Sequence, residues 1–156
     1  MNNKDIASTY NEFAVRGASP AAIIGMIYEV AIKELNRAIR AIDEKKIDDR
    51  VKATNQFFRA ITELRTGLDY ERGGDVARRL GRFYQIARGE ILDASIRVDR
   101  SLYEKHLRLF SEMREAWRTV EKETAGAPAA PESAPVRKVT APPPPDPEPG
   151  GFSWSA

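Results

Sequence analysis

Four stretches of this chain repeat apolar residues at alternating spacings of three and four, with short polar breaks between them, a pattern that restricts it to helices packed side by side. The first seam is Ile24, Tyr28, Ala31, Leu35, Ala38 and Ile42, and the second is Phe57, Ile61, Leu64 and Leu68. Ala77, Leu80, Tyr84, Ala87, Ile91, Ala94 and Val98 make the third; Tyr103, His106, Phe110, Met113, Trp117 and Val120 make the fourth. Seams of this spacing pack nearly parallel to their neighbours, and short connections force consecutive helices to alternate in direction. The expected fold class is all-α: an antiparallel up-down four-helix bundle with a short N-terminal capping segment and a disordered Pro-rich C-terminal tail. No stretch carries a strand signal.

The punctuation agrees with that reading. Ser19 is a good N-cap and Pro20 suits a first helical position, so the first helix begins there and stops near Lys45. Asp48 or Asp49 is expected to cap the second helix. The glycine pair in "LDYERGG", Gly73 and Gly74, is expected to end it and turn the chain, with Asp75 at the start of the third. Ser101 and Glu104 have the spacing of a capping box for the fourth.

Nine of the ten prolines lie at or after Pro128, in a segment nearly free of large apolar residues, which cannot repay the entropy of ordering. The expected organisation is a capping segment over 1–19, a bundle over 20–124 and a disordered tail over 125–156. The tail ends in "GGFSWSA", where Phe152 and Trp154 follow a flexible spacer. In the stretch "IASTYNEFAV" near the N-terminus, Ile6, Tyr10 and either Phe13 or Ala14 are expected to form one side of a short amphipathic helix, able to cover a groove or yield to a partner's helix.

Most catalytic classes find no support. The chain has no cysteine, which excludes disulfides, zinc–thiolate sites and thiol nucleophiles. Its single histidine, His106, lacks a glutamate three positions before it, so a di-metal carboxylate bundle has too few ligands, and a hydrogen-bonded core histidine is expected. "ERGGDVARR" lacks the Lys–Ser/Thr ending of a phosphate-binding loop, and "GGDV" lacks the acidic and aromatic residues of a cyclase hairpin. No catalytic residue, cofactor or metal is assigned. Lys and Arg number 25 against 23 Asp and Glu, a balance that reads Arg78, Arg79, Arg82 and Arg88 as a solvated face. The N-terminus lacks a signal-peptide core, and the longest uncharged apolar run, 17–28, is shorter than a membrane span of about 20 residues. A cytoplasmic protein without membrane insertion is expected.

The apolar surface exceeds what the seams require. Ile23, Ile27, Val30, Ile32 and Ile39 widen the first helix's apolar face, and Phe58, Phe83, Ile86, Leu92, Ile96, Leu102 and Leu109 lie outside the other seams. Two-thirds of these are expected in an ordinary core, and the remainder point to binding.

Several pieces together resemble the flagellar export chaperone family FliS. They are Tyr10 with Val15, "ASP" at Ala18 to Pro20, "IIGMIYEVAI" at Ile23 to Ile32, "ELRTGLDYERGGDVARRLGRFY" at Glu63 to Tyr84, and "REAW" at Arg114 to Trp117. The resemblance runs from about Ile6 to Val120. It implies a cytoplasmic bundle that binds the C-terminal segment of flagellin, prevents premature polymerisation and helps deliver the subunit to the flagellar type III export apparatus, with an export-gate component as a further partner. No nucleic acid is implied, and the free protein is expected as a monomer or weak homodimer. The partner-binding residues carried over are Ile6, Tyr10, Val15, Ile27, Tyr28, Phe58, Leu64, Leu68, Phe83 and Tyr84. Gly17, Glu29, Val30 and His106 depart from the family's common residues. A helical-bundle adaptor or a nucleic-acid-binding protein of unrelated role is the alternative.

Overall fold

The computed structural model describes residues 17–125, so the expected capping residues before Gly17 and the tail after Ala125 lie outside the described residues. Four helices follow one another: α1 (Pro20–Asp43), α2 (Ile47–Thr66), α3 (Tyr70–Arg97) and α4 (Arg100–Ala125). The all-α class holds, and no strand occurs among the described residues. α1 opens as its sequence dictates: Ser19 keeps an extended backbone, its Oγ accepts the Ala22 N–H at 3.1 Å, and Pro20 takes the first position.

The other helix starts differ from the sequence reading. α2 begins before both aspartates, with Lys46 at the N-cap and no side-chain cap bond. Asp48 and Asp49 instead occupy the first turn, where carboxylates face the positive end of the helix dipole. The Ser101–Glu104 capping box does not form. Asp99 caps α4, its Oδ1 accepting the N–H groups of Ser101 at 3.0 Å and Leu102 at 3.3 Å, and Ser101 donates its own hydroxyl to the same oxygen. Glu104 pairs with Arg100. A full charge makes the carboxylate the stronger acceptor for the orphan N–H groups, so it displaces the hydroxyl from the cap.

The glycine pair does not end α2. That helix stops at Thr66, and Asp69 caps the next one by accepting from the Glu71 N–H at 3.0 Å and the Arg72 N–H at 2.9 Å. Gly73 N–H closes the first turn on the Asp69 carbonyl at 2.8 Å. Gly74, at φ 50° and ψ −128°, then breaks the helix, a backbone conformation that only glycine adopts without strain. The break folds the first turn back along α3. Gly81 accommodates it: a Cβ there would stand 2.6 Å from the Tyr70 hydroxyl and 3.4 Å from Leu68 Cδ1. Leu68, expected on the α2 seam, sits in this connection instead.

α1 packs most extensively on α2 and α4, and α3 leans on the same two helices across the bundle. Ion pairs record the antiparallel course of α1 and α4. At one end Arg100 Nε donates to Asp43 at 2.9 Å; farther along, buried Arg114 donates to Glu29 from Nε at 3.0 Å and Nη2 at 2.8 Å, and to Glu121 from Nη1 at 2.9 Å. Phe110 is the hub of the core, its ring 5.6 Å from Tyr28, 5.2 Å from Phe57 and 5.4 Å from Phe83, one aromatic from each other helix. Such ring pairs add about 0.5–1.5 kcal/mol each beyond area burial. Both diagonals are also bridged by hydroxyl pairs at 2.7 Å, Tyr28 with Tyr84 and Thr54 with Tyr103.

Candidate partner-binding face

The residues expected to touch a partner separate into three groups. Ile6, Tyr10 and Val15 lie outside the described residues. Ile27, Tyr28, Leu64, Phe83 and Tyr84 are packed core. Phe58 and Leu68 are half-buried, packed against the core from outside it. The surplus apolar residues divide similarly: Ile23, Ile27, Ile39 and Phe83 are core, while Val30, Ile32, Ile86, Leu102 and Leu109 are half-buried. Leu92 and Ile96 stand out at 51% and 74% exposure.

Those two exposed residues belong to a larger strip. On α2, Ile47, Val51 and Phe58 recur at spacings of four and seven, which puts them on one side of the helix; Ile47 is 64% exposed and Val51 42%. On α3, Arg88, Leu92 and Ile96 recur at spacings of four. The Arg88 guanidinium lies 5.1 Å from the Phe58 ring centroid, fixing the two stripes side by side. Because α2 and α3 run in opposite directions, walking back from Phe58 to Val51 and Ile47 keeps step with walking forward from Arg88 to Leu92 and Ile96. The outcome is an apolar strip between α2 and α3 at the end of the bundle where α1 finishes. Sequence reading found Phe58, Leu92 and Ile96 but passed over Ile47 and Val51, which precede the seam of α2. Their signal was the i, i+4 repeat itself, displaced from the seam.

At the other end the same face is basic. Arg65, Tyr70, Arg78, Gly81 and Arg82 contribute to a cleft of ≈ 360 Å³. Arg78 pairs with Asp75, whereas Arg65 and Arg82 make no ion pair among the described residues. Phe58, Arg59, Thr62, Glu63 and Arg88 border a second cleft of ≈ 260 Å³ midway along. The face thus runs from basic, through an aromatic–cation contact, to apolar.

Buried ionisable groups lie away from this face. His106 Nε2 is 2.7 Å from Glu90 Oε2, and Lys105 donates to the same carboxylate at 3.1 Å. Burial depresses the His106 pKa against the pull of Glu90, leaving the ring neutral with its Nε2–H donated to the carboxylate. Burial opposes the ionisation of Glu90 too, but the hydrogen bonds from Lys105 and His106 outweigh it and hold the carboxyl below its ordinary range. This is the hydrogen-bonded core histidine expected from the sequence. In the core, burial pushes the Tyr84 hydroxyl up to about 12 and Tyr28 well above its ordinary value, so both stay protonated.

Comparison with known proteins gives a consistent result. The family model described as flagellar protein FliS matches residues 1–124. The flagellar secretion chaperone FliS of Salmonella typhimurium is 30% identical over 118 residues, covering 75% of this chain and 87% of the relative. The flagellar secretion chaperone FliS of Campylobacter jejuni is 28% identical over 120 residues, 77% of this chain and 94% of the relative. The flagellar secretion chaperone FliSB of Pseudomonas aeruginosa is 27% identical over 106 residues, 68% and 84% respectively. Among the described residues, no helix is long and apolar enough to cross a membrane.

Proposed function

The chain belongs to the FliS family of flagellar proteins, and we propose that it acts in the cytoplasm as the chaperone of flagellin, binding the flagellin C-terminal segment before export. The observation that carries this reading is the exposed apolar strip of Ile47, Val51 and Phe58 against Leu92 and Ile96. A strip between two helices suits the apolar face of an amphipathic partner helix, laid down through anchors at i, i+3, i+4 and i+7. Flagellin's polymerising segment is such a partner. Covering it keeps subunits apart until the flagellar type III apparatus receives them. Phe58 and Leu68 contact the client directly in this reading. Ile27, Tyr28, Leu64, Phe83 and Tyr84 support the surface from beneath, and the segment carrying Ile6, Tyr10 and Val15 shifts to admit the client. The role is that of a carrier and involves no turnover.

Calorimetry with a flagellin C-terminal fragment tests the proposal. Apolar burial gives the association a negative heat-capacity change and a weak salt dependence. Val51→Asp and Ile96→Asp alter exposed positions, so the fold stays intact while affinity falls tenfold or more, as expected when a charge enters an apolar contact at a cost of about 1.4 kcal/mol or above. Unchanged affinity in both variants would move the client to another face, and absence of binding by the folded full-length chain would end the proposal.

A further inference from the structure

The match to the family stops at residue 124, so neither that match nor the proposed role accounts for the Pro-rich extension or for the basic cleft on α2 and α3. The two are complementary. In the cleft, Arg65 and Arg82 are without a carboxylate among the described residues, and Tyr70, 48% exposed, lies against Gly81. Unpaired guanidinium groups beside an exposed aromatic suit an acidic, proline-rich peptide: the carboxylates take bidentate bonds and the proline rings lie on the aromatic face. The chain carries such a stretch, "PPPPDPEPGGFSWSA", with Asp146 and Glu148 set among prolines and no basic residue after Lys138.

We propose that residues 142–154 of this chain dock in cis on the α2–α3 face, with Asp146 and Glu148 on Arg65 and Arg82, the prolines on Tyr70, and Phe152 and Trp154 beside Phe58 and Arg88. The geometry permits it. α4 ends at the same end of the bundle as the cleft, because α2 finishes and α3 begins there. Residues 126–145 can span up to about 60 Å when extended, well beyond the width of a four-helix bundle. Along α3 the way from Arg82 to Arg88 is about 9 Å at helical rise, and the residues from Glu148 to Trp154 cover about 20 Å when extended. The Gly150–Gly151 pair allows that excess to be taken up. Docked in this way, the tail covers Phe58 and competes with any helix using the strip. The docking itself does not depend on the identity of the client.

The full-length chain has two tryptophans, Trp117 in the core and Trp154 in the tail, so fluorotryptophan labelling gives one resonance for each. Trp154→Phe assigns them. At low salt, the Trp154 resonance is expected away from its position in a synthetic peptide of residues 142–156, and it returns to that position in Arg65→Glu/Arg82→Glu and in 0.5 M salt. Asp146→Lys/Glu148→Lys has the same effect without touching the bundle, so the test survives if the arginine variant misfolds and moves Trp117. A wild-type resonance that coincides with the free peptide overturns the proposal. So does a displacement indifferent to the tail charge reversal, or one that grows with protein concentration and thereby assigns the cleft to a second copy.

Discussion

His106 joins two opposing demands on one ring. Its Nε2–H is held by Glu90, while Nδ1 is buried without a hydrogen-bond partner among the described residues, so a proton arriving there meets no acceptor. In an unfolded chain a histidine titrates near 6.5, and burial lowers the folded value. The unfolded state therefore takes up the proton first as pH falls, and the stability contributed by the neutral ring is present above about pH 6.5 and lost below it. Glu90, also depressed, acts in the same direction, but from about pH 4.5 downwards. His106→Leu is accordingly expected to flatten the decline of the denaturation midpoint between about pH 7 and 5.5 while leaving the decline at lower pH, since Lys105 still holds Glu90. Parallel pH profiles for the two proteins would show that the ring does not titrate differentially. A lone histidine on an apolar seam announced its burial; its acidic partner on α3 was not readable, because only the fold brings residues 90 and 106 together.

The helices themselves were legible from periodicity, but their ends were not. Spacing reports which side chains share a face and says little about where backbone hydrogen bonding stops. Val98 fits the third seam by count, yet it stands past the end of α3 as a left-handed cap at φ 58°. In the same way "LDYERGG" drew attention to its glycines, although Asp69 starts the helix. The consequence for α3 is that one substitution has opposite effects at two glycines. Gly74→Ala places a Cβ at φ 50° and ψ −128°, at a cost of about 1–3 kcal/mol. Gly89→Ala meets open space on a regular, exposed turn and gains up to about 1 kcal/mol from helix propensity. Urea denaturation of the two variants measures both. Equal signs would mean that the break at Gly74 is not a fixed part of the folded state.

Over the whole molecule, the core was the most readable part and the exposed apolar strip between α2 and α3 the least. Tyr28, Phe83 and Tyr84 are carried over as contacts from the family resemblance alone; large aromatics serve interfaces and cores equally, and packing places these three rings in the core. They are core because Phe110 reaches from α4 to meet rings from the other three helices. α3 contacts its neighbours less extensively than α1 does, so its tie across the diagonal matters for keeping the bundle closed. The Tyr28–Tyr84 hydroxyl pair at 2.7 Å is that tie. Tyr84→Phe leaves the Tyr28 hydroxyl buried with its partner gone, and Tyr28→Phe does the reverse, each costing roughly 1–3 kcal/mol. The double variant removes both polar groups together and should cost less than the sum by about 1 kcal/mol. Alkaline pH gives an independent reading. Unfolded tyrosines ionise near pH 10, while burial holds Tyr84 up to about 12 and Tyr28 well above its ordinary value. The folded state therefore keeps protons that the unfolded state gives up, and this contribution is present below about pH 10 and lost as pH rises toward the folded values. The double phenylalanine variant should lose stability less steeply above pH 10 than the parent. Additive single costs, together with an unchanged alkaline slope, would show that the two hydroxyls do not act as a coupled pair and that α3 is held by its apolar contacts alone.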